Sequence, residues 1–387
     1  MKAAVFSEGV GMKSVTAKLY TIIRQDVMLS VSVLLAAASA FFVHPSVGYL
    51  SYIDYKTILC LFCLMVTVKG FEQEGLLAVI SNGILAKVRT TRMLYLLLVM
   101  ICFFLSMLIT NDVALIAFVP ITISVMKLCD KEDKTAFIII LQTIAANIGS
   151  SLTPIGNPQN LYIYFRYQMN ITALAGTTLP YVLICGLLLA VCCTARKKEV
   201  NDTTISTQTV LINSPKVIKI VFLFLLTLLS VAGVIPYGIV TAIIVICMYF
   251  IDRSLLRNVD YGLLLTFISI FIFVGNISGL PAIVQMISAA VNQEPVLTAV
   301  MASQVISNVP AAILLSEFIA DPQILLAGVS IGGLGTLIAS MASVISFKYY
   351  IRAYPEQIKS YVIRFTLCNV FFLTVLLAAN NIISSRW

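Results

Sequence analysis

The chain has 387 residues, of which 60% are apolar and only 11% charged, and its mean hydropathy is +1.02. That balance excludes a soluble globular domain and identifies a polytopic membrane protein. The formal net charge of +8 does not mark a nucleic-acid binder, because the Lys and Arg residues are scattered through short loops between apolar runs, where they act as topology signals.

A bilayer core of about 30 Å takes roughly 20 apolar residues per helix. The basic residues Lys2, Lys13, Lys18 and Arg24 precede an apolar run with no small-residue cleavage site after it, so a retained first span is expected at 27–43. A second span, at 55–70, contains Cys60 and Cys63. This C-x-x-C pair has no second pair beside it and the only histidine, His44, lies elsewhere, so no zinc site is expected. The cysteines read as small membrane-compatible side chains. Residues 71–92 carry too many polar groups for a span and fit an interfacial helix.

Residues 93–127 are apolar except for a polar tip, Thr110-Asn111-Asp112, and both ends carry basic residues. A pair of helices entering and leaving from one side explains that pattern, so a re-entrant hairpin is expected. The following span, 134–166, is interrupted by the run from Gly149 to Asn160 (GSSLTPIGNPQN). Pro154 and Pro158 each remove a backbone donor and clash with the preceding turn, so the helix must open there. Further spans are expected at 173–194, 216–233, 237–251, 260–280 and 361–383, with a hydrophilic linker at 196–215. A second hairpin, 296–320, has its tip at Ser307-Asn308 and precedes a second interrupted span at 323–346. Under this layout, of the 25 Lys and Arg residues all but Lys56, Arg166 and Arg386 fall on one face. The positive-inside rule makes that face cytoplasmic, with the N-terminus inside and the C-terminus extracytoplasmic.

Hairpin and broken helix recur in the same order. Aligning residue 148 with 331 matches Ile148 to Ile331, Gly149 to Gly332, Thr153 to Thr336 and Ile155 to Ile338, and sets Gly156-Asn157 against Ala339-Ser340. The tips align at a different offset, the surplus being the charged loop after Lys127. The two hairpins enter from opposite faces. The expected fold is therefore an all-α polytopic membrane protein of two inverted-topology repeats, 1–195 and 216–387 around the cytoplasmic linker, each with a re-entrant helical hairpin and a discontinuous transmembrane helix.

Broken helices at the midplane expose carbonyls that hold cations and amide N–H groups that hold anions. The candidate substrate and ion site comprises Thr110, Asn111, Asp112, Asn147, Ser150, Ser151, Thr153, Gly156, Asn157 and Asn160 from the first half, and Ser307, Asn308, Thr336, Ser340 and Ser343 from the second. Asp112 is the one acidic residue deep inside an expected membrane segment. Its cost there points to binding of a coupling cation or proton, the competing reading being a cap on the second hairpin arm. With no Lys or Arg in these motifs, an anion would be held by dipoles, neutral donors and a co-bound cation, which argues against a polyanion such as ATP. No resident metal or cofactor is expected, beyond transient Na+ near Asn111 and Asp112.

The segment Asn111-Asp112-Val113-Ala114 through Pro120, with the run Asn147 to Asn160 (NIGSSLTPIGNPQN), resembles the arsenite permease and NhaD branch of the ion transporter superfamily, which also holds the P-protein family and the citrate and dicarboxylate carriers. The similarity covers roughly residues 27 to 385. It implies paired inverted repeats working by alternating access, a homodimer in the plasma (inner) membrane, and a site at Asn111, Thr153, Asn157, Ser307, Asn308 and Thr336. The chain departs from the dicarboxylate carriers, whose tips read Ser-Asn-Thr, by having Thr-Asn-Asp and Ser-Asn-Val. The expected function is secondary active transport of a small anion, an inorganic oxyanion or arsenite or a carboxylate, coupled to H+ or Na+. Na+/H+ antiport in the same fold and a passive ion channel are the alternatives. No H-E-x-x-H or P-loop is present and the chain has a single histidine, so neither an enzyme nor an ATP-driven pump is expected.

Overall fold

The computed structural model describes residues 27–85, 88, 90–195 and 214–384. The basic N-terminus and residues 196–213 of the expected linker lie outside the described residues. The chain forms, in order, helices α1 (Val27–Ser39), α2 (Tyr55–Gln73), α3 (Leu76–Leu85), α4 (Thr91–Ile109), α5 (Asn111–Leu128), α6 (Glu132–Gly149), α7 (Pro158–Arg166), α8 (Ile171–Thr194), α9 (Ser214–Val231), α10 (Tyr237–Ile251), α11 (Tyr261–Ile277), α12 (Pro281–Gln293), α13 (Pro295–Ile306), α14 (Asn308–Leu315), α15 (Pro322–Gly332), α16 (Met341–Ala353) and α17 (Ile358–Ser384). Among the described residues five helices are long and apolar enough to cross a membrane, or six if the pair α11 and α12, bent by 102°, is taken as one span.

Three details differ from the expected spans. The segment 93–127 is two helices, α4 and α5, each of which passes for a span by length and composition. The first span is shorter than expected, ending at Ser39, whose hydroxyl bonds back to the Ala36 carbonyl at 2.8 Å. The span at 260–280 turns at Leu280-Pro281, and residues 281–293 continue as a separate helix.

The described residues fall into two compact units. The smaller is built from residues 27–58 and 260–285. In it α11 packs along α1, and the buried Asn276 amide donates to Ser39 Oγ at 3.0 Å and to Tyr49 Oη at 2.9 Å. Polar side chains surrounded by apolar helices find each other in this way.

The larger unit holds residues 59–259 and 286 onward. Here α4, α5 and α6 pack on one another, with α6 at the centre and buried from Thr135 to Gly149 apart from Phe137. Glu132 and Asp133 occupy its first turn, where carboxylates complement the helix dipole. Helices α13, α14 and α15 form the corresponding group later in the chain. Asp321 caps α15 through a 2.8 Å bond from Gln323 N, and Pro322 supplies a first-turn position that needs no donor. The pieces beyond the two breaks are exchanged: α7 packs against α14 and α15, and α16 against α5 and α6. Helix α8 flanks α4, α6 and α15, and α17 covers α6, α8 and α15.

Contacts between the ends of these helices join loops that the charge pattern assigns to the same face. Tyr354 Oη donates to Glu132 Oε2 at 3.0 Å. Arg166 pairs with Glu317 at 3.2 Å, and Tyr167 Oη donates to the Ser316 carbonyl at 3.1 Å. Lys216 sits between Glu74 at 2.6 Å and Asp252 at 2.7 Å.

Candidate functional site

Every candidate residue lies in the larger unit. The two tips share one backbone conformation: Thr110 has φ 87° and ψ 147°, and Ser307 has φ 74° and ψ 155°. This region suits glycine and costs an L-residue about 1–3 kcal/mol, so surrounding bonds must hold it. They do so by docking each tip onto the break of its own half. Asn111 N donates to the Gly156 carbonyl at 2.9 Å, and Ser307 Oγ to the carbonyl of Ala339, the position matched to Gly156, at 3.4 Å.

The breaks repeat the same construction. Thr153 and Thr336 are extended, and so are Asn157 (φ −148°, ψ 137°) and Ser340 (φ −146°, ψ 141°). Thr153 Oγ1 donates to the Met107 carbonyl at 2.6 Å and Thr336 Oγ1 to the Gln304 carbonyl at 3.3 Å, each acceptor lying three residues before its tip. Gly149 and Gly332 mark close approaches of α6 to α4 and of α15 to α13. A Cβ on Gly149 would run into the Phe103 carbonyl, and one on Gly332 would lie 2.7 Å from Ser303 Oγ. The short 3-10 turns differ in place, Ser150–Leu152 before Thr153 in one half and Leu337–Ala339 after Thr336 in the other.

Unwound backbone away from water leaves polar groups that need partners. In both breaks a side-chain amide supplies them. Asn160 Nδ2 lies within 3.1 Å of the Ser151 and Thr153 carbonyls and 3.3 Å of that of Ser150. Gln304 Nε2 donates to the Gly332 and Leu334 carbonyls at 2.9 and 2.8 Å, while its Oε1 accepts Thr336 N at 2.9 Å. Asn160 is thus a brace of the first break, and the carbonyls around it already have donors. Ser150 and Ser151 bond back to the Asn147 and Ile148 carbonyls at 2.9 and 2.6 Å, and Asn157 Nδ2 donates to Ser150 Oγ at 3.3 Å.

Asn147, near the end of α6, is where the two halves meet. Its Oδ1 accepts from Asn111 Nδ2 at 3.2 Å and from Ser340 Oγ at 2.8 Å. Its Nδ2 reaches the Gly333 carbonyl and Ser343 Oγ, both at 3.4 Å. Asn111, Asn147, Ser340 and Ser343 are all buried. The amide of Asn308 adjoins them, its Nδ2 lying 3.0 Å from where a Cβ on Gly333 would stand. Helices α5 and α16 begin at this point, so their positive dipole ends converge on the Asn147 Oδ1 oxygen. Asp112 lies one residue further along, half-buried in the first turn of α5, with its backbone N–H held by Asn111 Oδ1 at 2.9 Å. Thr110 contributes its strained backbone to the tip.

Sequence reasoning missed Gln304, Gln142, Thr143 and Ser346. Gln142 Nε2 crosses to the Leu98 carbonyl at 2.9 Å and Thr122 Oγ1 at 2.7 Å, and Thr143 Oγ1 bonds Ser346 Oγ at 2.8 Å. The available signal was an amide within an apolar helix, three residues before the tip in the case of Gln304 and five before Asn147 in that of Gln142.

A family model described as Citrate transporter (CitMHS) matches residues 19–345. The inner membrane protein YbiR of Escherichia coli is 34% identical over 305 residues, covering 76% of this chain and 80% of YbiR. The uncharacterized transporter MJ0456 of Methanocaldococcus jannaschii is 35% identical over 298 residues, 76% of this chain and 81% of its own. The P protein of Mus musculus is 27% identical over 200 residues, 48% of this chain and 24% of its own.

Proposed function

This chain belongs to the citrate transporter family and is an integral membrane transporter, and from that premise we propose that it moves a small anion, a carboxylate or an inorganic oxyanion, or neutral arsenite, by alternating access coupled to H+ or Na+. The observation that carries the proposal is the reciprocal exchange of α7 and α16 between the two helix groups, with the buried amide and hydroxyl groups of Asn111, Asn147, Ser340 and Ser343 where the halves meet. An exchange of this kind is what two inverted repeats with re-entrant hairpins would produce. The matched tip conformations, matched threonine bonds and same-face loop contacts support that reading, with the N-terminus cytoplasmic and the C-terminus outside.

The donors available to a substrate are neutral. An anionic oxygen would take Asn111 Nδ2 and Ser340 Oγ in place of Asn147 Oδ1, at the positive ends of α5 and α16. Asp112, next to this point, carries the coupling ion. The transporter works as a homodimer in the plasma membrane and needs no resident cofactor.

Purified protein reconstituted in vesicles should accumulate one of citrate, a dicarboxylate, phosphate, sulfate or arsenite when an inward H+ or Na+ gradient is imposed, and should stop when the gradient is collapsed. Uptake indifferent to both gradients would identify a channel. Proton movement driven by Na+ with no anion transported would establish antiport instead.

A further inference from the structure

One cavity of the larger unit lies between two of the helices that start at this site. A cleft of about 300 Å³ lies between α5 and α16 and is lined by Ile116, Ile345, Lys348, Tyr349 and Arg352. Its position follows from helix geometry. Ile116 is four residues beyond Asp112 on the same face of α5, about 6 Å along the axis, and Ile345 is five residues beyond Ser340 on α16, about 7.5 Å along. The cleft therefore opens between the two helices whose first residues meet at Asn147, and it begins little more than one turn from that point. Lys348 and Arg352 are one turn apart on α16, and among the described residues no acidic side chain lines the cleft with them. Its volume is at the small end for ligand cavities, enough for a compact anion but not for a nucleotide.

We infer that this cleft is the cytoplasmic vestibule of the transporter, in which Lys348 and Arg352 collect the transported anion before it reaches the Asn111–Ser340 donors. The inference rests on the proposed orientation, in which α5 and α16 both run from the midplane to the cytoplasm. It also resolves a difficulty of the site, which has neutral donors and no cation of its own. A low-dielectric cleft lined by one sign of charge raises the local concentration of counter-ions, and with it the rate of arrival. The cations are placed at the mouth, where they attract without holding. Residues that serve only as interfacial anchors extend their charge away from the protein along lipid. Lys348 and Arg352 are exposed at the mouth of the cleft, and they share its lining with Ile116 of the neighbouring helix.

The test does not depend on knowing the cargo. With the half-exposed Cys192, Cys247 and Cys368 replaced by Ser, the remaining cysteines being buried, single Ile345→Cys and Ile116→Cys variants are treated with sulfonatoethyl and trimethylammonioethyl methanethiosulfonate. In inside-out phosphatidylcholine vesicles both positions should react, with the anionic reagent favoured by about tenfold over the cationic one after correction for their rates with free thiol. In Lys348→Gln/Arg352→Gln that preference should fall to about parity. Labelling from the outer face alone, or a preference that survives the double substitution, overturns the vestibule. If adding phosphatidylglycerol abolishes the preference, the pair is occupied by lipid headgroups and the proposal is equally overturned. An intact labelling pattern supports the cleft whatever an uptake screen finds, because cargo and coupling are read by that screen alone.

Discussion

Asn147 is the side chain on which the proposed site turns, and removing it gives a measurable free energy. Asn147→Ala deletes the bonds that its Oδ1 accepts from Asn111 Nδ2 at 3.2 Å and from Ser340 Oγ at 2.8 Å, while the two bonds from its Nδ2 at 3.4 Å are longer and weaker. In water, stranding two buried groups would cost about 1–3 kcal/mol each. Inside a membrane bundle the measured value per bond is nearer 0.6 kcal/mol, with a maximum of about 1.7, because the partners find substitutes. The loss in stability should therefore be about 1–3 kcal/mol. The more diagnostic quantity is the coupling to Ser340, whose bond at 2.8 Å joins one half to the other. Equilibrium unfolding of wild type, Asn147→Ala, Ser340→Ala and the double variant in detergent should give a coupling energy of about 1 kcal/mol. Additivity within a few tenths of a kcal/mol would refute the picture of Asn147 as a junction. Because the same bond would be exchanged for a substrate oxygen, Asn147→Ala should also alter the substrate concentration for half-maximal uptake, while Ser124→Ala, on an exposed hydroxyl bonded only to Pro120 within α5, should not.

Other outcomes follow from the same geometry. Gly149→Ala places a methyl against the Phe103 backbone carbonyl and should cost about 1–3 kcal/mol, more than Gly332→Ala, whose nearest obstacle is the Ser303 hydroxyl, in thermal-shift measurements. Asp112→Asn should abolish ion-driven accumulation while leaving exchange of bound substrate; accumulation unchanged at every pH would remove Asp112 from coupling. The Lys216 ammonium and the Ser254 N–H hold the Asp252 carboxyl down to about 2. A depressed folded value stabilises above the unfolded one, about 3.9, and is lost as pH falls through the folded one. Melting temperature should thus gain nothing from this group between pH 5 and 8 and decline from about pH 4 toward 2. Asp252→Asn should lack that part of the decline.

Much of this arrangement was legible because membranes penalise unpaired backbone. Pro154, Pro158 and the glycines around them announced the first break, and Thr110-Asn111-Asp112 announced the tip, since neither pattern survives in a continuous lipid-facing helix. The second half was harder to see. Its break has no proline between Gly332 and Ser340, and it was found only by aligning Thr336 with Thr153. What periodicity and composition could not supply were the partners that make unwinding affordable. Gln304 and Asn160 look alike in the sequence, as amides near a break, yet one reaches its carbonyls from a neighbouring helix and the other from the helix that follows its own break. Composition therefore marks Asn160 as a ligand candidate without revealing that its amide nitrogen also braces backbone carbonyls. Distance along the chain hides such choices, because Gln304 meets Thr336 only after α14 and α15 have folded back.

The two ends of the exchanged helices are unlike. Where α7 meets the end of α14, Tyr162 bonds Ser316 Oγ at 2.7 Å, Tyr167 donates to the Ser316 carbonyl at 3.1 Å and the Ile319 carbonyl at 2.5 Å, and Arg166 pairs with Glu317. Where α16 runs along α5, the lining is Ile116 against Ile345, with the cleft between them. In the proposed orientation the stitched end is extracellular, and the cleft is cytoplasmic, on the same face as the Tyr354–Glu132 bond. Alternating access then requires the Tyr162, Tyr167 and Arg166 bonds to break as the α5–α16 cleft closes. A few hydrogen bonds in an interfacial, partly hydrated position amount to a few kcal/mol, the scale of a population shift that ligands can drive. The tip-to-break bonds of each half, Asn111 N to Gly156 and Thr153 to Met107 in the first, are internal to that half and need not change. On this reasoning each hairpin travels with its own break, and the substrate site is remade between two pieces that stay intact.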